Sequence, residues 1–304
     1  GVDYWVVAHK FNSNEFCSFA VTGSGVDTNN YVSSPIGTVH TAPGETNNGI
    51  GYMKISPDGT KLALAIHGSN MYELYNFDAS SGRITNWLPS PATFIEAYGV
   101  EFSPDSRYLY GTTTSNSAPP FDTRPSYLFQ FDTDKGNGIF SLGNYDTITV
   151  DTLGSYLCGM QLGTDGRIYV SRAPYGNAAV SVIQNPKRPG VDCNFTANVV
   201  DLQGKKSRLG LPNFIQSYFD TPHFDVENVC FEDVTNFILT NNSNIDDATW
   251  KFTDGSQITL TGIQPSYTFS GPGSYEIEVT ESFGGNTYGP YRETIVVNEL
   301  PPVD

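Results

Sequence analysis

The chain has 304 residues, 13% of them aromatic, and a formal net charge of −16 from 16 basic and 32 acidic side chains. Phosphate recognition needs clustered Lys and Arg, so this balance argues against nucleic acid and anionic membrane surfaces as partners. No run of about 18 apolar residues is present to cross a bilayer as a helix, and frequent Gly and Pro with few helical apolar periods predict an all-β chain.

At roughly 150 residues per domain the length suits two domains. No charged-plus-apolar leader opens the chain, and a signal peptide would precede these residues. A first strand is predicted at Asp3-Tyr-Trp-Val-Val-Ala-His9. Three related hairpins follow, Tyr52-Met-Lys-Ile-Ser-Pro-Asp-Gly59, Val100-Glu-Phe-Ser-Pro-Asp-Ser106 and Met160-Gln-Leu-Gly-Thr-Asp-Gly166, each continuing into a second apolar strand. Pro fixes φ, Asp bonds its own backbone, and Gly or Ser tolerates the reversal. A third alternating strand follows each: Tyr72–Asp78, Tyr127–Asp132 and Ala179–Gln184. A repeat of about 45–60 residues suits one four-stranded blade, so residues 1–220 are predicted to be β-propeller blades, about four or five of them. So few blades form an incomplete set, with exposed strand edges that a partner or a second copy would cover. The expectation is a segment of a longer parent chain.

Near residue 220 the pattern changes. Leu209-Gly-Leu-Pro-Asn-Phe-Ile-Gln-Ser-Tyr-Phe219 begins as a last propeller strand, and Asp220-Thr-Pro-His223 is a connector in which Pro222 keeps its predecessor extended. Residues 221–304 then carry short strands about every 12 residues, which suits an immunoglobulin-like β-sandwich. Ile277 and Val279 should point inward and Glu276 and Glu278 outward, with Trp250 and Phe252 filling the facing sheet.

Trp250-Lys-Phe-Thr-Asp-Gly255 and Tyr267-Thr-Phe-Ser-Gly-Pro-Gly-Ser-Tyr275 resemble the signature of PKD domains, with Thr253 where that family usually has Gly. The hairpins, with Asp3–His9, Tyr98-Gly-Val-Glu-Phe-Ser-Pro-Asp105 and Arg208-Leu-Gly-Leu-Pro-Asn-Phe-Ile-Gln216, resemble the WD-like propellers of surface proteins in gliding Bacteroidota. These resemblances imply a gliding-motility-associated adhesin exported by type IX secretion, extracellular or on the cell surface, in which further blades precede this point and a C-terminal sorting domain usually follows.

No G-x-S-x-G, H-E-x-x-H or G-x-x-x-x-G-K-[ST] pattern is present. The expected protein is therefore noncatalytic, an adhesion or assembly module with a surface glycan or protein partner, its several weak sites acting together. The rival expectations are a secreted polysaccharide-acting enzyme, for which Glu73, Glu96 and Glu101 are carboxylates without a pairing spacing, and a purely structural spacer. Sugar rings stack on aromatic faces, which makes Trp87, in a Pro-flanked inter-blade loop, Tyr110 and Tyr175 the ligand candidates, with Trp5 and Tyr288 behind them. His9 and His67, at comparable blade positions, are a channel-facing pair to consider. No cofactor is required. Asp132-Thr-Asp134 has the opening spacing of a Ca²⁺ loop without its closing Glu, and Asp246-Asp247 could serve Ca²⁺ at a loop tip. Asp146-Thr147-Ile148 and Asp151-Thr152-Leu153 fit a Bacteroidota O-glycosylation pattern, with Thr147 and Thr152 as acceptors; Asn194-Phe-Thr and Asn241-Asn-Ser fit the N-linked one. Cys17, Cys158, Cys193 and Cys230 lack zinc-site spacing and read as free thiols, with a Cys158–Cys193 disulfide left open.

Overall fold

The computed structural model describes residues 4–41, 48–114, 125–151, 156–163, 165–173, 178–213, 224–239, 245–252, 258–283 and 286–300. The chain divides into two compact units, Gly1–Asp220 and Thr221–Asp304.

Among the described residues the first unit holds four antiparallel sheets in chain order. The first has three strands, β1 (Tyr4–His9), β2 (Ser13–Thr22) and β3 (Gly25–His40). The other three are four-stranded meanders. They comprise β4 (Met53–Ile55), β5 (Lys61–Ile66), β6 (Met71–Asp78) and β7 (Arg83–Pro89); β8 (Ala97–Phe102), β9 (Tyr108–Thr113), β10 (Ser126–Asp132) and β11 (Tyr145–Asp151); and β12 (Tyr156–Leu162), β13 (Ile168–Ala173), β14 (Ala179–Ile183) and β15 (Phe195–Asp201).

The repeated turns form as their residues dictate. Gly59 N–H donates to the Ser56 carbonyl at 2.9 Å and Ser106 N–H to the Ser103 carbonyl at 2.8 Å, while Gly166 N–H reaches Gly163 O at 3.1 Å. All three donors have positive φ, 69°, 61° and 71°. In the first two turns the Ser hydroxyl also bonds the Asp carboxylate, at 2.5 Å in each.

The sequence pattern marks three strands per repeat, and the structure adds a fourth. In β7 only Ile84 is fully buried, so this outer strand lacks the apolar alternation that would reveal it. Trp87, expected in a loop, lies in this strand.

Packing runs from sheet to sheet. Along β5, Leu62, Leu64 and Ile66 join Phe16 and Tyr75 in one core, while the intervening Ala63 and Ala65 join Tyr72, Phe102 and Phe131 in the next. Along β9, Leu109 faces that second core and Tyr108 and Tyr110 a third, with Met160 and Val170. Each middle sheet is buried on both faces, as stacked propeller blades require, and its strands read as continuous apolar runs.

The inner strands meet at one point. Lys54, Glu101 and Gln161 occupy the same position in the three hairpins, and Lys54 Nζ lies 3.1 Å from Glu101 Oε2 and donates to Gln161 Oε1 at 2.6 Å. Glu101 accepts two further bonds, from the backbone N–H groups of Phe102 and Leu162, both at 3.0 Å. A buried charge pair persists only with such additional bonds. Gly159 leaves room for the Tyr52 ring: a Cβ there would lie 2.4 Å from the Tyr52 hydroxyl.

The second unit is a sandwich of β16 (Phe224–Glu227), β17 (Thr235–Leu239) and β20 (Ser266–Tyr267) against β18 (Asp247–Phe252), β19 (Ile258–Thr261), β21 (Gly273–Phe283) and β22 (Asn286–Val297). Ile277, Val279, Trp250 and Phe252 are buried in one core. Trp250 and Phe252 do not belong to the facing sheet as expected; they pair directly with Val279 and Ile277 on β21. Phe224, Phe237 and Leu239 face them instead. Trp250 Nε1 donates to Gly262 O at 2.7 Å, which satisfies the one polar atom of a buried indole. Outside, Glu278 holds Lys251 at 2.9 Å and Arg292 at 2.8 Å.

Candidate functional site

The polar groups that face outward with a built support lie where the first two sheets meet. Between Leu74 and Asn76 the β6–β7 register shifts, and Asn86 on the opposite strand takes φ 57°. A bulge of this kind re-aims the neighbouring side chain. The Trp87 indole consequently points its Nε1 at Glu73 Oε1, 2.8 Å away, while 44% of the residue remains exposed. Glu73 is fully buried. It also accepts from Thr38 Oγ1 at 2.6 Å and from the Tyr75 hydroxyl at 2.5 Å. Three donors on one carboxylate fix it firmly, since bonds to an ionised acceptor are stronger than neutral ones. Burial, then the Glu73 charge and hydrogen bond, push the Tyr75 hydroxyl far above the usual tyrosine range.

A cavity of about 220 Å³ lies at the same junction, lined in part by His9, Phe11, His40, Tyr52, Met53 and Leu64. Leu64 is the cross-strand partner of Glu73, which links the cavity to the Trp87 support. His9 closes β1 and His40 closes β3, and Ser13, the first residue of the intervening strand, pairs with His40. The two imidazoles stack at 3.6 Å with planes 17° apart, and Phe16 meets the His9 ring edge-on at 4.6 Å. His9 Nδ1 lies 3.1 Å from the Lys10 carbonyl, a contact that requires Nδ1 to carry the proton and leaves Nε2 with its lone pair. Nε2 of both rings is buried with no hydrogen-bond partner among the described residues. Burial, then the His40 ring, lowers His9 from 6.5 to about 4. Burial lowers His40 as well. Both rings are neutral at pH 7.

The sequence pairs His9 with His67, but the structure pairs it with His40; His67 lies edge-on to Tyr98 at 6.5 Å. The register of a three-stranded meander, which brings the ends of its outer strands to the start of its middle one, is the signal that could have found the pair.

Other sequence candidates fall elsewhere. Tyr110 is fully buried, its hydroxyl donating to Pro186 O at 2.9 Å and accepting from Gln130 Nε2 at 2.6 Å, so its ring has no free face for a ligand. Trp5 bonds Ala79 O at 2.7 Å and packs over Gly82. Tyr175, Thr152 and the Tyr288 side chain lie outside the described residues, and Thr147 is exposed on β11. Asp132 and Asp134 do not frame a cation loop: Asp132 Oδ1 caps the Asp134 N–H at 3.1 Å, and Arg107 lies 3.4 Å from Asp132 and 3.5 Å from Asp134. Asp247 Oδ1 accepts the N–H groups of Ala248 and Gly262, both at 2.8 Å, while Asp246 is exposed at the neighbouring position. Among the described residues no group of three His, Cys, Asp or Glu could hold a metal. All four cysteines are free thiols, and burial pushes Cys158 and Cys193 up to about 12. Glu101 and Glu73 are both buried and bonded, which leaves neither facing a substrate.

No family model matches the chain, and no curated protein matches it. Solved structures that resemble it include hydrazine synthase from Kuenenia stuttgartiensis (19% identity, 59% of this chain and 48% of that one, TM-score 0.38). Others are the periplasmic gluconolactonase of Pseudomonas aeruginosa (13% identity, 95% and 82%, TM-score 0.39) and a 6-phosphogluconolactonase assigned by likeness in Bacteroides fragilis (12% identity, 87% and 68%, TM-score 0.36). The chain spans about half the length of the first of these. The expectation of a noncatalytic chain does not stand, because two of these structures carry lactonase names. At 12–13% identity and TM-scores below 0.4 the likeness assigns no reaction and no catalytic residue here.

Proposed function

We propose that this chain is the adhesive segment of a larger extracellular protein, and that it holds a neutral surface glycan against the exposed face of Trp87. The observation that carries this reading is the Trp87–Glu73 bond at 2.8 Å, which locks an accessible indole on a fully buried support. An aromatic plate fixed before binding loses little conformational entropy when a sugar ring stacks on it. The formal net charge of −16 favours neutral over anionic glycans by simple repulsion. A PKD-like second unit would act as the rigid module that joins this segment to the rest of the parent chain, and export by type IX secretion in a gliding Bacteroidota is the setting suggested by sequence resemblance alone.

Affinity electrophoresis in gels containing mannan, glucan or galactan tests the reading. Retardation by at least one polysaccharide, weakened about tenfold by Trp87→Ala, supports it; a tenfold loss corresponds to about 1.4 kcal/mol, within the range of an aromatic contact. Mobility that no polysaccharide changes, or retardation indifferent to Trp87→Ala, overturns it. A glycan mass on Thr147 of the native protein would support export.

A further inference from the structure

We propose that the face of the first sheet turned away from the second, formed by Tyr4, Val6, Ala8, Phe19, Val21 and Tyr31, is the seat of a further β-sheet carried by the parent polypeptide. That seat rests on the larger-protein part of the reading above and not on its glycan.

The face follows from register. Trp5 and Val7 pack on the core shared with the second sheet, so Tyr4, Val6 and Ala8, which alternate with them along β1, point to the opposite side. Residues directly opposite in an antiparallel pair share a side. Val21, Phe19 and Cys17 lie opposite Tyr4, Val6 and Ala8, and Tyr31 lies opposite Phe19. One apolar surface therefore runs across three strands. Val6 is 51% exposed and Tyr31 41%, Ala8 is exposed, and Tyr4, Phe19 and Val21 are half-buried. The Phe19 and Tyr31 rings lie 5.4 Å apart. Polar groups gather toward the β1–β2 turn, where Glu15 accepts from Lys10 at 3.2 Å and from Ser33 Oγ at 2.7 Å.

A strand with one side in solvent alternates apolar with polar residues, and a strand covered on both sides does not. Tyr4-Trp-Val-Val-Ala8 is a continuous apolar run, as is Leu62-Ala-Leu-Ala-Ile66 of β5. In β5 the two sides are buried in two different cores, one shared with the first sheet and one with the third. β1 carries the same kind of sequence, yet among the described residues only one of its sides is covered by a sheet. A contiguous exposed apolar surface of this kind marks an interaction site.

The chemistry of the face selects its occupant. The sheet-to-sheet packing already present in this unit supplies the contact, and a further sheet continues it past the first one. A second copy stacked head to tail would have to offer the far side of its last sheet. Val180 and Val182 lie on that side, since they alternate with Ile183 of the core shared with the third sheet, and they are already buried at 5% and 2% exposure. A sugar-binding surface needs placed polar groups among its aromatic rings, and Val6, Ala8 and Val21 supply none between Tyr4 and Tyr31.

The test is hydroxyl-radical footprinting, with intact mass, of the 304-residue chain and of the native polypeptide purified from the cell surface, with rates taken relative to Trp87 in each. Phe19 and Tyr31 should oxidise readily in the 304-residue chain and about fivefold more slowly in a longer native polypeptide, because a packed interface core excludes water. A longer native polypeptide in which both rings oxidise as fast as in the chain alone overturns the seat and leaves the larger-protein reading standing. A native polypeptide no longer than this chain overturns both. Protection that disappears on dilution, or a dimer of the 304-residue chain that Val6→Glu dissociates in sedimentation, means that a second copy holds the face and also overturns the proposal.

Discussion

Two polar clusters in the first unit each centre on a fully buried glutamate, Glu101 or Glu73, and are built in opposite ways. Where the inner strands of the three four-stranded sheets meet, Lys54, Glu101 and Gln161 answer one another and two backbone N–H groups answer the carboxylate. At the junction of the first two sheets, Glu73 is answered three times over, yet the imidazoles beside it keep nitrogens unpartnered among the described residues and the indole above it keeps an open face. The first arrangement is a closed account of donors and acceptors, which is what a structural core needs. The second leaves an indole face open above a fixed carboxylate, which is what a stacking site needs.

The largest effect that would break this contrast is expected at the axis. Glu101→Gln leaves the Lys54 ammonium buried without its counter-charge and should cost about 3–5 kcal/mol in urea unfolding, whereas the paired change Lys54→Met with Glu101→Leu should recover most of that loss. A single variant as stable as the parent would show that the axis is not a charge-balanced core.

Glu73→Gln comes next. A glutamine amide accepts only through its oxygen, its nitrogen being a donor, so it cannot take all three bonds from Thr38, Tyr75 and Trp87; about 1–3 kcal/mol should be lost and the indole should become freer, read as a lower melting temperature and a lower Trp87 fluorescence anisotropy. Unchanged anisotropy would mean that Glu73 does not hold the ring.

The stacked histidines give a smaller effect with a definite sign. His9 has a folded pKa of about 4 against 6.5 for the free side chain, so between those values the unfolded chain binds more protons. Its contribution to stability is complete above about pH 6.5 and is lost as pH falls toward 4. Because the ring is half-exposed, the loss is about 1 kcal/mol after allowing for solvent screening. Melting temperatures of the parent should fall more between pH 7.5 and 4.5 than those of His9→Phe; an equal fall in both would mean that His9 titrates normally.

The smallest effect belongs to exposed Asp134, paired with half-buried Arg107. Asp134→Asn should change stability by less than about 1 kcal/mol, because a surface ion pair is screened by water. Millimolar Ca²⁺ should leave the melting temperature of either protein unchanged, and a calcium-dependent rise lost in Asp134→Asn would restore the Ca²⁺ loop.

The Ser-Pro-Asp-Gly turns, their flanking strands and the alternation of Ile277 and Val279 with Glu276 and Glu278 were legible because each depends on residues a few positions apart, where φ preferences and side-chain periodicity act directly. The fourth strands were not, since an outer strand such as Arg83–Pro89 buries one residue and carries no periodic signal. Trp87 and Tyr110 looked alike as exposed aromatics. Packing separated them: one stands over a bulge at the surface, and the other lies between two sheets.

The amino-acid order alone determined the all-β character, the hairpin repeat and the acidic surface, because these follow from local dihedral preference and from summed charge. Only the tertiary structure decided which repeated positions become partners. Lys54, Glu101 and Gln161 meet because three sheets turn their first strands toward a common line, and His9 meets His40 because a meander returns β3 alongside the start of β2. Contacts between residues far apart in the chain depend on the closing of the whole assembly, and no short stretch of sequence encodes them.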